Sequence, residues 1–508
     1  MSVDTDRDRE HDEPGQVGIS AAGAYAPRFR ISADEFRDAW GQFQAPGVTE
    51  KAVPAADEDA LTMAVEAARR ALEVGGDSGA LEAESGSSTA PVDSIDWLGF
   101  ASTTPPLEEG DLTARVRAMC GIPADATTHQ YTGSTRAGTR ALWGAIDALE
   151  AGNATRALVV AADAPAGHPD EAIEHAAGAG AAAFVLEVGG QAAIVDRGEY
   201  TAAYPGTRFR EPGSAAATEL GVTAYDRQAF RETTAGAVDS LETDSDYLGA
   251  VDAAAIQSPD GKRPYRVAGA LGLETEPITE YATVHELGDL GAASVPMTLA
   301  KALENGAESI LGVSYGSGAG SDAFVLECDG TVPVETRFED GTSVSYAEYL
   351  RERGVVTSGP PSGGGAYVSI PTWKRSLPQR YRLVAGRCLS CDALAFPPEG
   401  ACPDCGELEG YEQTRLAGEA RLEAVTTISQ GGAPPEFAEY QSQTGEYAAV
   451  IVAFEAEDGS GGTVSAPAMG TDAEPGEFSV GGRVEPTIRR IYTQEGVTRY
   501  GFKVRPLE

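Results

Sequence analysis

The sequence has little lysine, histidine or cysteine, and no long apolar run. Its 508 residues carry 38 lysines and arginines against 78 aspartates and glutamates, a formal charge of -40, and lysine is nearly absent beside arginine. Most of such a surface repels nucleic acid. Because the charge is spread along the whole chain, it reads as a general adaptation to high salt and not as a docking face for one basic partner. No stretch of about 18 apolar residues occurs, so no membrane-spanning helix is expected. The Ala/Gly-rich stretch 176–190 is too short and too weakly apolar to be one. Residues 1–16, MSVDTDRDREHDEPGQ, lack the apolar region of a secretory signal and read as a disordered acidic tail on a cytoplasmic protein. The six cysteines, four of them within 18 residues, exclude a disulfide framework and point to a metal site in a reducing compartment.

What is present is enough for about three folding units, at roughly 150 residues each. Residues 17–330 alternate apolar strands with amphipathic helices, the pattern of a layered α/β unit. One helix is plain: Asp57 or Asp59 caps it, Leu61, Val65, Ala68 and Leu72 recur at helical spacing, and Gly75-Gly76 stops it. The polar segment 76–94 follows as a surface loop. An internal echo is more informative. ALEAGNATRALVVAADAP at 148–165 with GAGAAAFVLE after it matches ALENGAESILGVSYGSGAGSDAFVLE at 302–327 in the order helix end, turn, strand, glycine loop, strand. A unit repeated once at so long a spacing implies two pseudo-symmetric halves and not a solenoid. The Gly/Pro/Ser-rich run at 354–366 is the expected linker. The boundaries are set at 17–350 for the α/β unit, 354–371 for the linker, 372–414 for a helix and metal ribbon, and 415–508 for a small all-β barrel.

Cys388-x2-Cys391, ten residues, then Cys402-x2-Cys405 supplies four thiolates from two knuckles, the set that a tetrahedral zinc takes. Four soft charged ligands leave no open position, so the expected role is structural. Redox chemistry and nucleic-acid binding are the alternatives. Against the second, residues 372–508 hold 20 acidic and 13 basic side chains. The local exception is Lys374, Arg375, Arg380, Arg382 and Arg387, which either hold an anionic ligand or pair with nearby acidic surface. Cys120 and Cys328, at a helix end and in a strand, read as packing residues.

The segments VGISAAGAYAPRFRISADEF at 17–36, DEDALTMAVEAARRAL at 57–72, SPDGKRP at 258–264 and YGSGAGSDAF at 315–324 resemble the archaeal hydroxymethylglutaryl-CoA synthases of the thiolase superfamily. The C-terminal third resembles small proteins that join a rubredoxin-like zinc ribbon to an OB-fold and associate with such synthases and with acetoacetyl-CoA thiolase. The resemblance implies a five-layer thiolase-like domain, a homodimer, and a CoA thioester as ligand or substrate. It implies contacts to that ligand from Lys262, Arg263, Gly316, Ser317 and Gly318. It also implies a partner, either a thiolase or an active synthase.

At the family's catalytic positions the sequence departs from the pattern. The nucleophilic cysteine at the start of a buried helix is matched by Thr135 in TRAG, the acid/base glutamate by Ser102 in ASTTP, the histidine by Gln257 in IQSPDGK, and the carbonyl-orienting asparagine by Asp289 in GDLG. Neither Ser102 nor Gln257 titrates near neutrality, and positioned proton transfer is worth roughly 10² to 10⁴ in rate. The expected function is therefore a catalytically degenerate acyl-CoA-binding scaffold. The alternative is an active condensing enzyme or acyltransferase that uses Thr135 or Ser134 with His129 or His285 as base.

Overall fold

Asp59 caps the helix Ala60–Val74 by accepting from the Leu61 and Thr62 amides, both at 3.0 Å, while the Thr62 hydroxyl accepts from the Asp59 amide. This reciprocal arrangement satisfies donors that the first helical turn leaves over. The apolar stripe of this helix is buried against the strands Val17–Tyr25 and Gly180–Val188. Its polar face is buried as well: Glu66 is 3% and Arg70 9% exposed, because the C-terminal barrel sits on it. These features come from a computed structural model that describes residues 15–76, 91–318, 320–338, 341–357, 369–429, 437–494 and 496–507. The expected acidic tail, the loop at 76–94 and the linker lie largely outside the described residues.

The strands of the α/β unit run in the order Thr127–Tyr131, Trp97–Ala101, Arg156–Asp163, Gly180–Val188, Val17–Tyr25, Ala192–Tyr200, Gly320–Cys328, Ser309–Gly316, Ala253–Ile256. From the centre outward the order is the same on both sides. The antiparallel pair Arg156–Asp163 with Gly180–Val188 recurs as Ser309–Gly316 with Gly320–Cys328, and these are the two copies of the internal echo.

The layers follow from which helix each sheet half buries. Helices Ala137–Glu150 and Ser294–Glu304 lie in the centre and share one core with both sheet halves. Helices Ala60–Val74 and Thr113–Cys120 cover the outer face of the first half. Helix Thr223–Asp239 covers that of the second. Small residues let the central helices approach: a methyl group on Gly138 would lie 2.4 Å from the Ala292 carbonyl oxygen, so only glycine fits there.

In the C-terminal third, the strand Val384–Cys388 pairs with Tyr411–Arg415 at one end of the long strand Tyr411–Ile428. The rest of that strand pairs with Tyr447–Ala456 and with Arg483–Gln494. The boundary expected between residues 414 and 415 thus falls inside one continuous strand. Thr463–Met469 pairs with Tyr447–Ala456, Val497–Pro506 pairs with Arg483–Gln494, and a parallel bridge from Gly470 to Val504 closes the ring. The result is a small five-stranded barrel around Val450, Val452, Phe454, Val484 and Val504.

Candidate functional site

The four cysteines come together as the spacing requires. Their Sγ atoms all lie within 4.8 Å of one another, with Cys388 to Cys405 at 3.8 Å and Cys391 to Cys402 at 3.6 Å. A tetrahedron with metal–sulfur bonds of about 2.3 Å has edges of about 3.8 Å, so the set fits zinc. The Ser390 amide points at Cys388 Sγ, 3.4 Å away, which offsets part of the thiolate charge.

A second constellation lies between the two halves of the α/β unit. Thr135 precedes the central helix Ala137–Glu150, and its Oγ1 donates to the Tyr315 carbonyl at 2.5 Å and accepts from the Ser317 amide at 3.4 Å. The Gln257 amide donates to the Gly291 carbonyl at 2.8 Å, and Asp289 Oδ1 accepts from the Gly291 amide at 3.0 Å. Thr135, Gln257 and Asp289 line one cavity of about 90 Å³ together with Thr207, Arg208, Glu219, Asp260, Arg263, Tyr315 and Ser317. That volume is well below the roughly 300 Å³ at which a cavity encloses a whole small ligand; it suits a short acyl-sized group.

Ser102 is buried behind the cavity and does not line it. Its hydroxyl donates to Asp163 at 3.4 Å, and Asp163 also takes the Thr103 hydroxyl at 2.6 Å and the Ala292 amide at 2.8 Å. Asp163 therefore joins Ser102 to the turn that carries Gly291. Ser102, Gln257 and Asp289 meet through Asp163 and the turn at Gly291, whereas Thr135 bonds separately to the Tyr315 carbonyl and the Ser317 amide; none of these hydrogen bonds ends on an imidazole.

The histidines proposed as bases are elsewhere. His129 is exposed and stacks on Trp97 at 5.4 Å. His285 has both ring nitrogens engaged, with Tyr265 Oη and with the Gly47 carbonyl, each at 2.6 Å. The carbonyl can only accept, so Nδ1 carries the proton and Nε2 accepts from the tyrosine. Among the described residues no histidine or cysteine lines the cavity. Burial pushes the Cys120 thiol up to about 12 and the Cys328 thiol to about 11, the latter with help from Glu308, so neither is a ready nucleophile.

Of the expected ligand contacts, Arg263 and Ser317 line the cavity and Lys262 is exposed outside it. The Gly318 amide donates to Thr207 at 2.9 Å, and Gly316 packs against Ser134 and Arg136. Several residues were not singled out in the sequence. Arg208 donates to Asp289 through a short bond; burial works against its charge, but Asp289 outweighs this and holds its proton above the usual arginine range. Glu219, at the mouth, is pushed up by burial and by Asp226. Arg208 and Glu219 lie in a Gly/Pro-rich stretch without periodicity, which gave no signal. Lys51 is fully buried below the cavity wall, with Nζ donating to the Glu174 carbonyl and lying 3.3 Å from Tyr349 Oη.

Comparison with known proteins bears on the zinc ribbon, the family and the fold. Residues 375–409 match the family model for the ChsH2, rubredoxin-like zinc ribbon domain. The chain is 31% identical over 360 residues to the hydroxymethylglutaryl-CoA synthase of Methanopyrus kandleri, covering 66% of this chain and 97% of that one. It is 32% identical over 357 residues to that of Thermococcus gammatolerans, covering 66% and 96%. Among solved structures, MvaS in complex with 3-hydroxy-3-methylglutaryl coenzyme A superposes with a TM-score of 0.56 at 18% identity, covering 68% of this chain and 95% of that one. This likeness shows the thiolase-like fold.

Proposed function

The chain belongs to the hydroxymethylglutaryl-CoA synthase family, and from that premise we propose that it binds an acyl-CoA without carrying out the family's cysteine-dependent condensation, and acts as a scaffold for a thiolase or an active synthase. The observation that carries this reading is the commitment of the Thr135 hydroxyl to the Tyr315 backbone carbonyl. A hydroxyl whose proton goes to a carbonyl, with no imidazole beside it, is not activated as a nucleophile. Ser102 and Gln257 offer no proton transfer to replace the missing acid and base. The small cavity still accepts a short acyl group, with Arg263 and Ser317 at its wall.

The ring order of the C-terminal strands supports an OB-fold, a five-stranded Greek-key barrel, and its fixed docking supports a permanent platform for assembly. The four clustered thiols, which a reducing compartment keeps free for metal, support a cytoplasmic location, and the family fold supports a homodimer. The test is incubation of the full chain with acetyl-CoA and acetoacetyl-CoA. We expect binding, no release of free thiol above the uncatalysed rate, and no acetyl adduct by intact mass; sustained turnover overturns the scaffold reading. Light scattering of the purified chain and a pull-down from its native cytosol test the dimer and the thiolase partner.

A second reading, an acyl-CoA enzyme of altered mechanism, is favoured by Glu219. It is the one cavity-lining carboxylate that makes no ion pair among the described residues, and its proton is held more tightly than usual, a signature of functional sites. Under that reading any thiol release disappears in Glu219→Gln and survives in Thr135→Ala.

A further inference from the structure

A second cavity, of about 720 Å³, opens between the α/β unit and the C-terminal barrel. No described residue lines both cavities. Its walls come from the helices Ala60–Val74 and Thr113–Cys120 on one side, and on the other from the helix Leu377–Arg382 and the barrel strands. At one end its charges are matched: Glu66 lies 3.0 Å from Arg70 and 3.2 Å from Arg505, and Arg505 also pairs with Glu485.

At the other end they are not. Arg382 makes no ion pair or hydrogen bond among the described residues, and its Nε is buried without an acceptor. Arg415 has only a long contact, 4.0 Å, to the half-exposed Glu457. The two guanidinium groups converge: a methyl group on Gly121 would lie 3.6 Å from Arg382 Nη1 and 3.6 Å from Arg415 Nη2. Burial and then Arg415 weaken the hold of Arg382 on its proton, with Asp93 alone acting in the other direction. Arg69 stands nearby and spends one Nη on the Tyr381 carbonyl at 2.9 Å. Like charges aimed at one point, with a buried donor left over, describe a site that lacks its anion.

We infer that this cavity binds an organic oxyanion, a phosphate- or pyrophosphate-bearing molecule whose charged group is held by Arg382 and Arg415 and whose apolar or aromatic body lies against Met119 and Phe502. Guanidinium forks match phosphate oxygens in pairs, which a single ammonium cannot do. The volume is in the range of sites that enclose ligands of nucleotide size, roughly 300 to 1,000 Å³. Of the basic cluster in the sequence ahead of the ribbon, Arg380 stacks over Trp373 at 4.3 Å and Arg387 faces Asp458 at 3.7 Å; Arg382 is the member that points into the cavity.

The test is calorimetric titration of the full chain with inorganic pyrophosphate and with ADP at one fixed ionic strength. We expect both to bind at one site per chain, ADP the more tightly because its body meets the apolar wall. The double variant Arg382→Gln with Arg415→Gln weakens both at least tenfold, Arg382→Lys weakens them less, and Arg263→Gln in the other cavity leaves them unchanged. Without probe, Arg382→Gln leaves the thermal midpoint unchanged or higher, since it removes a like-charge contact; a purely structural arginine lowers it. The inference is overturned if neither probe binds, if the double variant binds as wild type does, or if pyrophosphate binds and ADP does not.

Discussion

Lys503 Nζ, in the last strand of the barrel, lies 2.7 Å from Asp57 Oδ2, just ahead of the first long helix of the α/β unit, and both side chains are at most 1% exposed. They anchor a buried ionic network in which Arg489 reaches Asp472 at 2.8 Å and Glu58 at 3.3 Å, and Arg505 reaches Glu66 at 3.2 Å and Asp472 at 3.4 Å. Charges taken out of water are tolerated only when every partner is in place. The barrel is thus a built-in partner of the α/β unit.

Removing one member exposes that dependence. Lys503→Met leaves the Asp57 carboxylate buried without its cation, and the expected loss is about 3–5 kcal/mol in chemical denaturation. Adding Asp57→Leu to Lys503→Met recovers most of it. A single variant as stable as wild type would show that the two units are not docked through this pair.

Thr135 allows a direct check on chemistry. Thr135→Ala loses the hydrogen bond to the Tyr315 carbonyl and about 1 kcal/mol of stability, with acyl-CoA binding and background thiol release unchanged. Thr135→Cys gains reactivity toward iodoacetamide, because it sits at a helix start, yet gives no steady-state condensation, since Ser102 and Gln257 cannot move the protons. Turnover by Thr135→Cys alone would mean that another acid and base are present.

The pH dependence of stability reports on Lys51. Burial pushes its ammonium down to about 7, with Glu174 opposing the shift. Above that value the folded chain has released a proton that the unfolded chain keeps until about pH 10. The unfolded state then binds more protons, so the contribution of Lys51 to stability rises with pH from about 7 to about 10. Denaturation midpoints of wild type against Lys51→Met across this range should diverge in that direction; parallel curves count against a buried, neutral lysine.

Metal removal should reach beyond the ribbon. The purified chain is expected to hold one zinc, lost on treatment with a strong chelator or in Cys402→Ser. Because the strand Tyr411–Ile428 belongs to both ribbon and barrel, loss of the metal also lowers the unfolding temperature of the barrel, which near-ultraviolet circular dichroism follows. Loss of zinc with an unshifted barrel transition would show that the two fold independently.

Some of this was legible in local pattern alone. The capped helix after Asp59, the duplicated halves and the four cysteines each depend on residues close together in the chain or on a repeat, so composition and spacing specify them. The departures from the family pattern at Ser102, Thr135, Gln257 and Asp289 are a reading of the sequence, and Thr135, Gln257 and Asp289 line one cavity. Only the tertiary structure decided the rest. Glu66 and Arg70 look like a solvated helix face, yet they are buried, because Arg505, which pairs with Glu66 beside Arg70, arrives from a strand more than 400 residues later. Arg208 and the convergence of Arg382 with Arg415 were hidden for the same reason. Whether a charged side chain is exposed, paired or left waiting for a ligand depends on partners brought by packing, and no local periodicity encodes which ones arrive.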